Sequence, residues 1–300
     1  MKRSLSSHLL PAGAAALSAL LLLSGCFTGV EGTAKIKDTT RGNKSVPISA
    51  EQTLLLPALP QPPRQWSRGK RFIVDDGRFD VAFSPASVSS TLNPGDTLYF
   101  QSMAGDVRLA GDSVTDIFFS TSGGNRLTYR VEAPLSAVRG RERLAVPFTI
   151  DAAVVDSVRR ILVGRQFWTL RAGRNGRKFE HVEVSRVLAG TADYPVFVIA
   201  GTDSIPMVVE SKSVSARTFD NLFSLSNPRD RYPQISDKIW DNICRGKVAV
   251  EMTTDECRLA LGAPDNVERY TAYNGIIEQW TYKNGVYLVF TDGLLTRFRQ

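Results

Sequence analysis

Cysteines and histidines are the side chains of this 300-residue chain that are best able to do covalent or metal chemistry. The cysteines are Cys26, Cys244 and Cys257, and the histidines are His8 and His181. His8 lies in a segment that we expect to be cleaved, which excludes a His-rich metal site and leaves only His181 for a Ser-His-Asp triad. The sequence contains no Gly-x-Ser-x-Gly, His-Glu-x-x-His, phosphate-binding or Cys-x-x-Cys motif. We therefore predict no cofactor, no metal and no catalytic residue, with a His181-dependent enzyme as the alternative.

The first cysteine follows a segment that has the features of a secretory signal. Lys2 and Arg3 precede an apolar run that ends at Leu23-Ser-Gly-Cys26. This order of basic, apolar and small residues is typical of an exported chain, and the run is shorter than a transmembrane helix requires. The cysteine context resembles the bacterial lipobox. The resemblance implies cleavage after residue 25, diacylation of Cys26 and a lipid-anchored protein; an ordinary signal peptide is the alternative.

The residue after that cysteine bears on the membrane that holds the anchor. It is Phe27, whereas aspartate at this place is the inner-membrane retention signal of enteric bacteria. The resemblance therefore implies the outer membrane. No acidic run follows Cys26, which favours the periplasmic side.

Composition limits the partners of the mature chain. The full chain has 37 Lys+Arg and 30 Asp+Glu, a net charge of +7, and removing residues 1–25 takes away Lys2 and Arg3 to leave +5. This excess is modest, and no dense basic tract with interleaved aromatics indicates nucleic acid. It is compatible with anionic lipid head groups, acidic cell-wall polymers or a mildly basic solvated surface.

The order of sequence signals divides the chain into a signal peptide, a tether and three folded parts. Four closely spaced prolines favour an extended tether over residues 26–66, part of which we expect to dock on the first folded module. Short β-branched and aromatic runs then predict two β-rich modules, barrel or sandwich, over 67–155 and 156–225. A linker at 226–235 leads to an α+β domain at 236–300.

Individual elements are predicted from local patterns. Strands are expected at Arg71–Asp75 and Phe79–Phe83, and a helix at Asp151–Leu162 from its apolar spacing. The segment Phe219–Tyr232 has the composition of a linker.

The C-terminal part combines two helices with a strand meander. Ser236 is placed to cap the first helix, and Thr253 with Glu256 forms a capping box at the second. The dipeptides Asn274-Gly275, Asn284-Gly285 and Asp292-Gly293 then predict three tight hairpin turns. Helices that cover one face of a meander give an α+β arrangement.

Several motifs of this part match a known family in order. They are Met252-Thr-Thr-Asp-Glu, Leu261-Gly-Ala-Pro264, Trp280-Thr-Tyr282 and Phe290-Thr-Asp-Gly293. Together they resemble the SmpA/OmlA type of lipoprotein domain, the family that includes the BamE subunit of the β-barrel assembly machinery. The resemblance implies a BamE-like ααβ-meander fold and a non-catalytic domain that contacts proteins. Similar folds also occur in proteins that inhibit β-lactamase.

Two groups of C-terminal side chains are candidates for a role beyond folding. Cys244 and Cys257 lie on the apolar faces of helices that are expected to pack, where they form either a disulfide or two buried thiols. The aromatic residues contact either a partner or the core: Tyr270, Tyr273, Trp280 and Tyr282. Because Tyr270 and Tyr273 flank a predicted turn, they are the better candidates for an exposed contact.

The sequence thus predicts a lipid-anchored envelope lipoprotein that acts as a non-catalytic protein-interaction, scaffold or assembly factor at the outer membrane. We expect the membrane and an envelope protein as partners, and no nucleic acid. A lipoprotein that binds cell-wall or glycan ligands, and an inhibitor of a periplasmic enzyme, are the alternatives.

Overall fold

The computed structural model describes residues 49–108, 111–210, 217–273 and 275–300. It has a mixed α+β fold dominated by three antiparallel sheets, one of which curls into a half-barrel. The α+β class predicted from the sequence is thereby confirmed. The signal peptide, Cys26 and most of the predicted tether lie outside the described residues. None of the described helices has the length and apolarity needed to cross a membrane.

The first sheet has six strands in the order β2-β5-β4-β3-β1-β6. Strand β1 lies between β3 and β6, with Phe72 opposite both Leu98 and Asp151. The Phe72 and Phe119 rings meet edge to face at 5.6 Å in the core, where each buried ring contributes about 1.5–3 kcal/mol. The strands are β1 (Arg71–Val74), β2 (Phe83–Ser84), β3 (Thr97–Val107), β4 (Ser113–Thr121), β5 (Arg126–Val131) and β6 (Thr149–Asp151).

The strand predicted at Phe79–Phe83 is wrong for most of its length. A 3₁₀ helix occupies Gly77–Val81, and the Asp76 carboxylate caps it by accepting from the Arg78 N–H at 2.9 Å. The helical turn brings the Phe79 ring onto the Phe83 ring, with centroids 3.7 Å apart. Both rings are buried, so packing overrides the strand-like alternation of the sequence.

The second sheet has five strands in the order β10-β9-β8-β7-β11. Helix α4 (Ala152–Leu162) packs on β8 and confirms the predicted helix. Its N-terminus is capped by the Asp151 carboxylate, which accepts from the Ala153 N–H at 3.0 Å. The strands are β7 (Gln166–Thr169), β8 (His181–Ala189), β9 (Val196–Ala200), β10 (Asp203–Met207) and β11 (Phe223–Ser224).

Two segments predicted as tether or linker belong to the core of this second sheet. Leu55 and Ala58, near helix α1 (Ala50–Leu54), are buried beside α4, so this stretch of the predicted tether is folded and docks on the second sheet instead of the first module. Helix α5 (Phe219–Leu222) buries both of its terminal apolar side chains there as well. These apolar side chains, which are far apart in sequence, pack in one core. The polar composition of the two segments gave no sign of this packing. Trp66, at the end of the predicted tether, packs on Phe72 and Phe100 of the first sheet.

Short helices complete the upstream part of the chain. Helices α2 (Ala86–Ser89) and α3 (Leu135–Gly140) pack against the first sheet. Further 3₁₀ turns lie at Leu56–Ala58, Pro63–Gln65 and Pro228–Arg231.

The C-terminal part confirms the predicted order of two helices and a meander. Helix α6 (Asp237–Cys244) begins after Ser236, and helix α7 (Thr254–Leu261) begins with the complete Thr253–Glu256 capping box. The four strands pair in sequence order, as β12-β13-β14-β15. They are β12 (Asn266–Ala272), β13 (Gly275–Thr281), β14 (Tyr287–Thr291) and β15 (Leu294–Arg299).

The loop between β7 and β8 contacts these two helices. The Arg177 guanidinium donates to Asp241 at 2.9 Å, and the Lys178 N–H donates to the Cys244 carbonyl at 2.9 Å. The Phe179 ring stacks on Trp240 with centroids 5.4 Å apart. The C-terminal helices are therefore joined to the second sheet by ion-pair, backbone and aromatic contacts.

Candidate functional site

One edge of the C-terminal sheet is covered by the chain itself. Along β15, the Glu251 N–H donates to the Leu295 carbonyl and the Leu295 N–H donates to the Met252 carbonyl, both at 2.8 Å. Thr254 extends this pairing to Gly293 at 3.2 Å. The segment before α7 therefore occupies the backbone groups at the start of this edge.

The opposite edge, strand β12, is open. It pairs with β13 over its full length, from Asn266 opposite Thr281 to Ala272 opposite Gly275. Among the described residues no strand pairs with its other side, and its first six residues are exposed. Half of the N–H and C=O groups of such a strand point away from its one neighbour and are free to pair with another chain.

Exposed apolar side chains accompany this open edge. Val267 and Tyr270 on β12 are 46% and 48% exposed, and Ile276 at the start of β13 is 51% exposed. Tyr273 in the connecting turn is fully exposed. The structure thus places Tyr270 and Tyr273 at the surface, where the sequence predicted them, and adds Val267 and Ile276.

Trp280 and Tyr282, by contrast, lie in the core of the C-terminal part, under the helices. Trp280 has no exposed surface and packs against Phe290 with ring centroids 4.8 Å apart. Tyr282 is half-buried and its hydroxyl donates to the Gly262 carbonyl at 3.1 Å. Burial raises the pKa of Tyr282 to about 12. Of the two alternatives from the sequence, Trp280 and Tyr282 therefore contact the core and not a partner, because strand alternation points both side chains at the core.

An ion pair on the core face of the sheet holds β12 in place. Arg269 on β12 donates through Nε to Glu278 Oε2 at 2.8 Å and through a second nitrogen to the same oxygen. The indole N–H of Trp280 donates to Glu278 Oε1 at 2.5 Å. Burial by itself raises the pKa of Glu278, but these hydrogen bonds and the charges of Arg269 and Arg258 bring that pKa below its ordinary value.

The two C-terminal cysteines are buried free thiols in the structure. Cys244 ends α6 and Cys257 lies in α7, and the two helices pack against each other. Burial raises the pKa of the Cys244 thiol, and it raises that of Cys257 to about 12. Of the two alternatives left open by the sequence, a disulfide or two buried thiols, the structure has the thiols.

The one histidine among the described residues lies on the surface. His181 begins β8, is exposed, and has its ring 4.8 Å from that of Trp168. In the described part of the chain, no three His, Cys, Asp or Glu residues are grouped so that they could hold a metal ion.

Sequence reasoning missed a polar cavity of about 860 Å³ on the second sheet. Its charged residues come from three separate segments and include Arg171, Asp203 and Arg217. The pair of turn glycines Gly173 and Gly176, with arginines between and around them, was the available signal.

Comparison with protein-family models, curated proteins and solved structures finds no match to this chain. The resemblance of its C-terminal part to the SmpA/OmlA domain therefore stays a prediction from the quoted motifs. The functional proposals below rest on the contacts of this chain.

Proposed function

We propose that this chain is a lipid-anchored envelope protein that binds a protein partner, without catalysis, at the open edge of its C-terminal sheet. The observation that carries the proposal is the exposed strand β12 with its unpaired outer side. The partner we propose is a protein that contributes an extended segment, because an added strand pairs its backbone with such an edge.

The contrast between the two sheet edges supports this mode of binding. The start of β15 already has backbone partners in residues 251–254, whereas β12 has none on its outer side among the described residues. Natural proteins usually shorten, cover or twist away an edge that has no partner. A seven-residue edge strand that is left exposed is the form expected of a binding strand.

The side chains beside the edge supply apolar area to the same partner. Tyr270 and Tyr273 are large and partly polar, a type enriched at protein interfaces, and Ile276 adds an aliphatic contact. Arg269 is tied to Glu278, so β12 keeps its conformation before the partner arrives.

The cellular setting comes from the sequence. The lipobox resemblance at Leu23–Cys26 supports a diacylated N-terminus at the outer membrane, on its periplasmic side. We also propose that the C-terminal part has the BamE-like ααβ-meander fold and that the two upstream sheets act as tandem modules. Together these features suit a scaffold or assembly factor.

Site-specific photocrosslinking in cells tests the binding edge. A photoreactive phenylalanine analogue replaces Tyr270 or Tyr273 in the full lipidated chain, and crosslinked products are identified by mass spectrometry. The matched control carries the analogue at Val81, which is 80% exposed at the end of the 3₁₀ helix Gly77–Val81. We expect a discrete protein adduct from Tyr270 and Tyr273, and none from Val81.

A charge placed at the same edge tests whether the adduct reflects binding. We expect Ile276→Asp to reduce the protein adduct several-fold without lowering the amount of chain in the outer membrane. Equal adducts from all three positions, or recovery of muropeptide or glycan in place of protein, would contradict the proposal and favour the ligand-binding alternative.

A further inference from the structure

The cavity on the second sheet has the size and lining of a small-molecule site. Its volume is about 860 Å³, within the range of roughly 300–1,000 Å³ that is usual for ligand sites. Val182, Ala200 and Leu222 provide apolar lining. Charged and amide side chains provide the rest: Arg171, Arg174, Asn175, Glu180, Asp203 and Arg217.

The arginines of this cavity are poorly neutralised. Among the described residues, the Arg174 Nε lies 4.0 Å from Asp203 Oδ1, and Arg171 donates to the Asn221 carbonyl at 3.4 Å. The Arg217 guanidinium lies 6.0 Å from the centre of the Tyr194 ring. Within the described residues, neither Arg171 nor Arg217 forms an ion pair with a carboxylate. By contrast, Arg130 on the first sheet is paired with Asp116 at 2.6 Å. Guanidinium groups without a carboxylate are available to bind an anionic group in bidentate fashion.

A buried acceptor lies in the same cavity. Asp203 Oδ2 accepts from the Arg174 N–H at 3.0 Å, but its Oδ1 is buried and has no hydrogen-bond donor within the described residues. The Arg174 Nε lies 4.0 Å from this Oδ1, too far for a hydrogen bond, so the oxygen can still accept from a donor on a ligand. Glu180 is held nearby, where its Oε1 accepts from Asn175 Nδ2 at 2.8 Å.

These features select the chemical class of the ligand. Arginines favour an anionic group, whereas Asp203 and Glu180 can accept further hydrogen bonds from hydroxyl or N–H donors on the same molecule. No aromatic side chain is among the described residues that line the cavity, so a nucleobase would find no ring there to stack on. We propose that the cavity binds a small acidic or phosphorylated saccharide, with its anionic group at Arg171 and Arg217 and a hydroxyl donating to Asp203. This site is separate from the β12 edge and does not depend on partner binding there.

Isothermal titration calorimetry on the full chain in detergent tests the ligand class. The probes are glucuronic acid, glucose 6-phosphate, glucose and inorganic phosphate. We expect one of the two anionic sugars to bind at least about tenfold more tightly than both glucose and phosphate. The preferred anionic sugar identifies a carboxylate or a phosphate as the recognised group.

Variants in the cavity test its location. We expect Arg171→Gln and Arg217→Gln each to weaken binding of the preferred sugar about tenfold, and Asp203→Asn to weaken it as well. The matched control is Arg186→Gln, an exposed arginine of β8 outside the cavity, which should bind like the parent chain. Circular dichroism confirms that each variant is folded.

Three results would overturn the proposal. They are no binding of either anionic sugar, binding of phosphate as tight as that of glucose 6-phosphate, or binding that is unchanged in both Arg171→Gln and Arg217→Gln. None of these results bears on the crosslinks from Tyr270 and Tyr273, so the two proposals fail separately.

Discussion

Trp280 donates its indole N–H to Glu278 Oε1 at 2.5 Å, inside a core where the tryptophan has no exposed surface. The two residues are neighbours on one face of β13, and Arg269 of β12 holds the other oxygen of the same carboxylate. A buried carboxylate shared by an indole and a guanidinium ties the open edge of the sheet to its core. This carboxylate therefore adds a side-chain link between the proposed binding strand and the core to the backbone pairing of β12 with β13.

The first prediction concerns the pH dependence that this carboxylate gives to stability. Because the pKa of Glu278 is lowered in the folded protein, its contribution is complete above the ordinary glutamate pKa of about 4.3 and is lost as the pH falls through the folded-state value. We expect Glu278→Gln to be less stable at pH 7 by about 1–3 kcal/mol. We also expect its free energy of unfolding to fall less than that of the parent chain between about pH 5 and pH 3, measured by urea unfolding.

The control for this measurement is Glu268→Gln, an exposed position on the neighbouring strand β12. It should follow the pH profile of the parent chain. A Glu278→Gln profile as steep as that of the parent would show that the acid sensitivity arises elsewhere.

The second prediction concerns the start of α7. The Thr253 hydroxyl accepts from the Glu256 N–H at 3.2 Å, and the Glu256 carboxylate accepts from the Thr253 N–H at 2.8 Å. We expect Thr253→Ala to lower the free energy of unfolding by about 1 kcal/mol, measured by thermal and urea unfolding. Ser122→Ala, in an exposed turn, is the control and should have little effect; equal losses would contradict a specific role for the cap.

Local signals predicted the C-terminal part because each acts within a few residues. The Thr253–Glu256 box and the Asp292-Gly293 turn, with φ values of 47° and 83°, both form as expected. Contacts between residues far apart in sequence, and the packing they impose, could not be predicted from such local signals. Phe79 lies in a segment with a strand-like pattern, but a 3₁₀ turn stacks its ring on Phe83. Leu55 packs in a core whose other residues are centred more than a hundred residues downstream.

The same distinction between local signals and long-range packing applies to the candidate sites. Tyr270 and Tyr273 could be placed at the surface because they flank a turn, although the open edge beside them depends on sheet order. The proposed saccharide site could not be predicted, since Arg171, Asp203 and Arg217 converge only when the second sheet has formed. Trp280 lies in the core because alternation places it under the helices.

The third prediction concerns the thiols. In the folded chain neither Cys244 nor Cys257 should react with a disulfide reagent such as DTNB at pH 8, because both are buried and burial raises the pKa of each thiol. After unfolding in guanidinium chloride, we expect two thiols per chain. Thiols that appear only after reduction would show a disulfide, and a third thiol would show that Cys26 is not acylated.

The last prediction concerns the turn that shapes the proposed saccharide site. A Cβ at residue 173 would lie 2.2 Å from Asp203 Oδ2, the oxygen that accepts from the Arg174 N–H. We expect Gly173→Ala to displace this turn and to lower the free energy of unfolding by about 1–3 kcal/mol, measured by urea unfolding. Gly140→Ala is the matched control, because nothing lies within 4 Å of its added methyl group.

A double variant isolates the steric cause. If the methyl group of Gly173→Ala acts by its collision with the Asp203 carboxylate, its cost should shrink in an Asp203→Ala background, because the colliding oxygen is gone. An unchanged cost would place the effect in the backbone of the turn. The difference in cost between the two backgrounds therefore measures the interaction free energy between the methyl group at residue 173 and the Asp203 side chain of β10.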